Sequence, residues 1–124
     1  ADAERAPRAV REAGPATLYH RGTLRGGRSL HQVGNIVVVG DVNPGAELVA
    51  SGEILVFGAL RGTAHAGARG DLSARVLALE LAPTQLRIAT AIAAGAERGS
   101  GLPEIAFVRE GRIAIAPYQE RART

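Results

Sequence analysis

Apolar residues recur along this chain at every sixth position. Leu18, Leu24, Leu30, Ile36, Val42, Leu48, Ile54, Leu60, Ala66 and Leu72 form one unbroken apolar series. Four positions after each stands Gly22, Arg28, Gly34, Gly40, Ala46, Gly52, Gly58, Ala64, Gly70 or Val76, small in eight of ten cases. The hexads group in threes. Gly34 and Gly52 stand three hexads apart, as do Gly40 and Gly58, and Ile36-Val-Val-Val39 returns as Ile54-Leu-Val-Phe57. Such a rhythm, three hexads to a unit, predicts an all-β protein: a short three-sided β-solenoid of about three to four coils. The first residue of each hexad fills the interior. The small residue sits at a bend, where a Cβ would crowd the turn or forbid a positive φ. Gly40, Gly52 and Gly58 carry that expectation.

Sorting the hexads by side gives three stacks. Side one holds Leu18–Arg21, Ile36–Val39, Ile54–Phe57 and Leu72–Arg75; side two holds Leu24–Gly27, Val42–Gly45 and Leu60–Thr63; side three holds Leu30–Val33, Leu48–Ser51 and Ala66–Arg69. Alternation within a strand sends neighbouring side chains to opposite faces. With Ile36, Val38, Ile54 and Val56 inside, Val37, Val39, Leu55 and Phe57 face out. Such an apolar quartet marks a protein contact or a site covered by a later strand. Side two instead presents the column Arg25, Asn43 and Arg61, which as a charged exterior is also the ordinary solvated kind.

The rhythm slips after Gly70. Ala74–Leu81 is apolar on both faces, Pro83-Thr84 reads as a turn and Gln85–Ala89 as a strand. Ala94–Pro103 is a Gly/Ser/Ala loop. Ile105–Arg109, Glu110-Gly111 and Arg112–Ala116 predict a closing hairpin. These late elements are expected to cap one solenoid end. Residues 1–16 are Ala, Arg, Asp, Glu, Gly and Pro with one Val10, and read as a linker or stub; residues 119–124 read as a flexible tail. The domain proper is then 17–118.

Composition narrows the function. The 124 residues hold no cysteine, so a disulfide frame and a thiolate metal site are both out of reach. All 15 basic residues are arginine, yet the net charge is only +3 and four residues are aromatic. Nucleic-acid binding would call for a dense basic stripe or stacking rings, and neither is present. His20, His31 and His65 are the only histidines, and no two have the spacing of a metal site. No catalytic residue, cofactor or metal is expected. Two other solenoid classes stay open: an acyltransferase with His31 or His65 as general base, and a polymer-forming cytoskeletal scaffold.

The run Gly34-Asn-Ile-Val-Val-Val-Gly-Asp-Val-Asn-Pro-Gly-Ala-Glu through Gly62, followed by Ala64-His-Ala-Gly-Ala68, Thr84–Ala89 and Gly111–Tyr118, resembles the C-terminal domain of the bacterial septum-site protein MinC. That resemblance implies a right-handed β-helix, a handedness the periodicity leaves open. It implies a homodimer through the apolar side, with Val37, Val39, Leu55 and Phe57 at the interface. It also implies a cytoplasmic regulator rather than an enzyme, brought to the inner membrane face only indirectly, by the ATPase MinD, and antagonising FtsZ polymer assembly in division-site placement. The family contacts MinD through an Arg-Ser-Gly-Gln motif. The matching positions are Arg25, Gly26, Gly27 and Arg28, with Gly26 in place of Ser and Arg28 in place of Gln. Asn43 and Arg61 extend the expected partner face.

Overall fold

The computed structural model describes residues 16–95 and 98–118. The expected linker (but for Ala16) and the tail lie outside them. Eleven strands follow one another: β1 (Thr17–Arg21), β2 (Ser29–Gln32), β3 (Asn35–Val39), β4 (Glu47–Ala50), β5 (Ile54–Leu60), β6 (Thr63–Ala66), β7 (Val76–Leu81), β8 (Gln85–Ile88), β9 (Ala91–Ala94), β10 (Glu104–Arg109) and β11 (Arg112–Pro117). They form two sheets, β1-β3-β5-β7-β10-β11 and β2-β4-β6-β8-β9. Within the coils the stacking is parallel. The third side is a file of single bridges, Leu24 to Val42 and Val42 to Leu60. This is the β-solenoid that the hexads predict.

Strand β3 pairs with β5 at the spacing of three hexads, Ile36 opposite Ile54 and Val39 opposite Phe57, and β1 pairs with β3 in the same register. Leu24, Ile36, Val42, Leu48, Ile54 and Leu60 are each at most 1% exposed and form the interior stack. Each such burial contributes about 1.5–3 kcal/mol. Leu18 and Leu30, on the first coil, are only partly buried against it.

The spacing is not held to the end. Leu48 faces Ala64 rather than Ala66, so the third coil is short at one corner. Ile54 then faces Val76 rather than Leu72, and Ala64 faces Leu86 rather than Ala82, so the fourth coil is long. The extra length forms a loop over 67–75. The side-one assignment of Leu72–Arg75 is therefore corrected: Val76, fully buried, takes the inward position, and Leu72 is 55% exposed. The loop is tied by local bonds. The Asp71 carboxylate accepts from the Ser73 hydroxyl (2.6 Å) and the Ser73 N–H (2.9 Å), which hold it below the usual carboxylate range. Val76→Ala should accordingly cost about 2 kcal/mol and Leu72→Ala less than about 0.5 kcal/mol, read from denaturant midpoints. Equal costs would refute the shifted register.

Two hairpins close the far end. Arg109 pairs with Arg112 around Glu110-Gly111, whose φ values of 53° and 79° make the two-residue turn expected from the sequence. The second hairpin, β8–β9, turns at Ala89-Thr90. Val108, Ile113 and Ala93 bring the two hairpins against the core.

Candidate partner-binding faces

The expected motif is a stacked pair of turns. The Arg28 N–H donates to the Arg25 carbonyl (3.1 Å), with Gly27 at φ 86°. One coil on, the Ala46 N–H donates to the Asn43 carbonyl (3.0 Å), with Gly45 at φ 88° behind Pro44. Both are type II turns, which demand a positive φ at their third residue. They sit close together: the Gly27 N–H donates to the Gly45 carbonyl at 3.0 Å, and a Cβ on Gly26 would stand 2.8 Å from the Pro44 oxygen. Glycine is the one residue that this packing tolerates at position 26 without a shift. The third coil, being shorter, cuts the corner at Arg61-Gly62. The two glycine turns stand proud of it.

Arg25 and Arg28 are exposed at the two ends of the first turn. Among the described residues the ion pairs include neither. Arg61 differs. Its guanidinium pairs with Glu80 at 3.2 Å and reaches Asp41 at 3.9 Å, all three side chains 40–46% exposed. Asn43 is half-buried, its N–H donating to the Leu24 carbonyl. The column Arg25–Asn43–Arg61 is thus stacked as read, but its third member is already held by two carboxylates.

The apolar face is the outer surface of the six-stranded sheet. Val37, Val39 and Leu55 are half-buried and Phe57 is 45% exposed, all pointing out. A register shift in β5 between Val56 and Ala59 places the bulge at Phe57-Gly58. Tyr19, Leu77, Leu79 and Ile105 belong to the same surface and were missed from the sequence. Leu77 and Leu79 follow β5 by more than three hexads, and β10 runs antiparallel, so the repeat does not reach them. The signal was the segment Ala74–Leu81, apolar on both faces.

The histidines have local roles. His65 Nε2 donates to the Ala89 carbonyl (3.0 Å), and His31 Nε2 lies 3.4 Å from Glu47 Oε1. No group of three metal-ligating side chains occurs among the described residues. No helix there is long and apolar enough to cross a membrane.

The β-solenoid thus presents one outward apolar sheet face and one cationic glycine corner. Comparison with known proteins gives its family. Residues 18–118 match the model of "Septum formation inhibitor MinC, C-terminal domain". Curated relatives named "Probable septum site-determining protein MinC" include those of Gloeobacter violaceus, 51% identical over 86% of this chain, and Acetivibrio thermocellus, 46% identical over 82%. The chain belongs to the MinC C-terminal domain family. The matches span only 39% and 47% of those two relatives' lengths. A chain of a solved structure titled "MinC:MinD cell division protein complex, Aquifex aeolicus" superposes with TM-score 0.79 at 40% identity, covering 82% of this chain and 86% of that one.

Proposed function

We propose that this domain is the dimerising and recruiter-binding part of a division-site regulator: it pairs through the outer face of its six-stranded sheet, binds a MinD-type ATPase through the Arg25–Arg28 corner, and serves to antagonise FtsZ polymer assembly. The protein is cytoplasmic in this reading and reaches the membrane through its ATPase partner. It is a binding protein rather than an enzyme; His31 and His65 turn to a carboxylate and a backbone carbonyl, not to a nucleophile. The observation that carries the reading is the exposed arginine on a glycine turn, in a fold whose solved relative comes from a MinC:MinD complex.

Arg25 is the residue on which binding should depend most. Its planar fork of donors suits a carboxylate or the carbonyls at an element's end. Gly26 and Gly27 keep the surface low beside it, so a partner backbone can approach. Losing such an arginine typically costs about 2 kcal/mol or more, roughly thirtyfold in affinity. In a pull-down with the cognate ATPase, Arg25→Ala should lose ATP-dependent binding while keeping its melting temperature. Arg28→Ala, at the glutamine position of the family motif, should lose less. Binding that survives the first substitution and fails on the second would move the contact to the other end of the turn.

A further inference from the structure

The net charge of +3 is unevenly placed along the solenoid. Positions 16–33, the first coil, hold Arg21, Arg25 and Arg28 and no carboxylate. Positions 34–51, the second coil, hold Asp41 and Glu47 and no arginine, and the remainder of the domain carries both signs. The two second-coil carboxylates turn to other residues: Asp41 lies 3.9 Å from Arg61, and Glu47 3.4 Å from His31. All three first-coil arginines are exposed, and the ion pairs among the described residues include none of them. Residues 1–15 hold three arginines and three carboxylates, so their side chains add no excess of either sign. The first coil is also terminal. β1 and β2 stand first in their sheets, and no described strand pairs with their outer edges. Tyr19 (61%) and Val33 (62%) are exposed on this coil, and Leu18 and Leu30 are only partly buried.

Unpaired cations beside an exposed tyrosine, on the last layer of a stack, make the mixture that settles at a lipid headgroup layer. Each arginine near an anionic lipid surface strengthens binding roughly fivefold, and tyrosine favours the boundary between headgroups and hydrocarbon. We propose that the first coil meets an anionic membrane surface edge-on, with Arg21, Arg25 and Arg28 on lipid phosphates and Tyr19 and Val33 among the headgroups. This goes beyond the reading above, in which the membrane is reached only through the partner. The charges border the coil: Arg21 follows β1, and Arg25 and Arg28 bound the glycine turn before β2. An arginine side chain is longer than the rise of one coil, about 4.8 Å, so each guanidinium can reach past the end of the stack. The contact is shallow. The outer edges of β1 and β2 carry backbone N–H and C=O groups that hydrocarbon would leave unsatisfied and hydrated headgroups would not. Duplex nucleic acid fits this layer less well: three cations make few phosphate contacts, one ring gives little stacking, and the exposed valine has no counterpart in a polyanion. With the ATPase on the Arg25–Arg28 turn, Arg21 and Tyr19 still face lipid.

The whole chain, with no ATPase present, should co-sediment with vesicles of equal parts phosphatidylglycerol and phosphatidylcholine, and not with phosphatidylcholine alone. Binding should vanish in about 1 M salt, where the Debye length is about 3 Å. Arg21→Ala should weaken it about fivefold, and alanine at Arg21, Arg25 and Arg28 together about a hundredfold. Arg109→Ala with Arg112→Ala removes two exposed charges from the far hairpin and should leave binding nearly unchanged. Thermal melts check that each variant keeps the fold. Equal binding to both kinds of vesicle, binding to neither, or an equal loss from the far-hairpin pair would overturn the proposal. So would tighter binding to duplex DNA than to the anionic vesicles at the same salt. The vesicle experiment omits the ATPase, so its failure leaves the partner reading standing, and a pull-down indifferent to Arg25→Ala leaves the lipid contact standing.

Discussion

Carrying Leu55→Arg and Phe57→Arg together, the domain should sediment as a monomer and melt within a few degrees of the natural chain. Both side chains point out of β5, away from the interior stack, so the core keeps every contact. At the interface the change is large. Each copy loses two apolar anchors and gains two cations, and the two-fold relation brings like charges together. Desolvating unpaired charges costs several kcal/mol per ion, more than the apolar contact of the face can offset at about 25 cal/mol per Å². Recruitment should weaken too. In the proposed function a dimer engages two membrane-held partners at once, and losing the second engagement can reduce avidity by about 10²–10⁴-fold with no contact to the partner changed. Light scattering reads the first effect and vesicle co-sedimentation with the ATPase reads the second. An unchanged dimer would place the interface on another face.

Alanine at three glycines should separate two causes of intolerance, in the order Gly40, Gly58, Gly70. Gly40 has φ 147°, and a Cβ there would overlap the carbonyl of Gly22 on the coil below. Gly58 has no positive φ, but its Cβ would overlap the carbonyl of Gly40. Gly70 has φ 106° and nothing within 4 Å. The backbone conformation alone costs on the order of 1–3 kcal/mol and the forced displacement a similar amount. Gly40→Ala should then lose about 3–5 kcal/mol, a large share of the roughly 5–15 kcal/mol typical of a domain. Gly70→Ala should lose about 1 kcal/mol. At roughly 4–8 °C per kcal/mol, the melting curves resolve the order. Gly58→Ala melting within a degree of the natural chain would remove the crowding argument. Of the two reasons expected for glycine at Gly40, Gly52 and Gly58, a positive φ holds only at Gly40, while crowding of an added Cβ holds at all three. At Gly52 the obstacle is the Asn35 side chain on the previous coil, whose Oδ1 accepts the Glu53 N–H at 2.8 Å.

The two hairpins show what local chemistry can and cannot announce. Glu110-Gly111 supplies a glycine where a two-residue turn needs one, so β10–β11 was legible. Ala89-Thr90 supplies none, and β9 went unread. Ala89 holds φ 53° because its N–H donates to the Ala66 carbonyl and its own carbonyl accepts from His65. Both partners lie on β6, far back along the chain, and no local pattern contains them.

By itself the sequence determined the solenoid, its interior file from Leu24 to Leu60, the outward quartet Val37, Val39, Leu55 and Phe57, and the stacking of Arg25 over Asn43 and Arg61. Each follows from a short repeat, because every coil must meet the next in register to satisfy its backbone and bury its apolar side chains. Only the tertiary structure decided where the repeat breaks. The third coil was cut short at Arg61-Gly62 and the fourth lengthened around Leu72, because a coil can shorten or loop at a corner while its strands stay paired. That slippage joined Leu77 and Ile105 to Tyr19 in one row and bound Arg61 to Glu80 while Arg25 stayed exposed. Such outcomes depend on which residues a fold brings side by side across breaks in the period, and periodicity carries no information past a break.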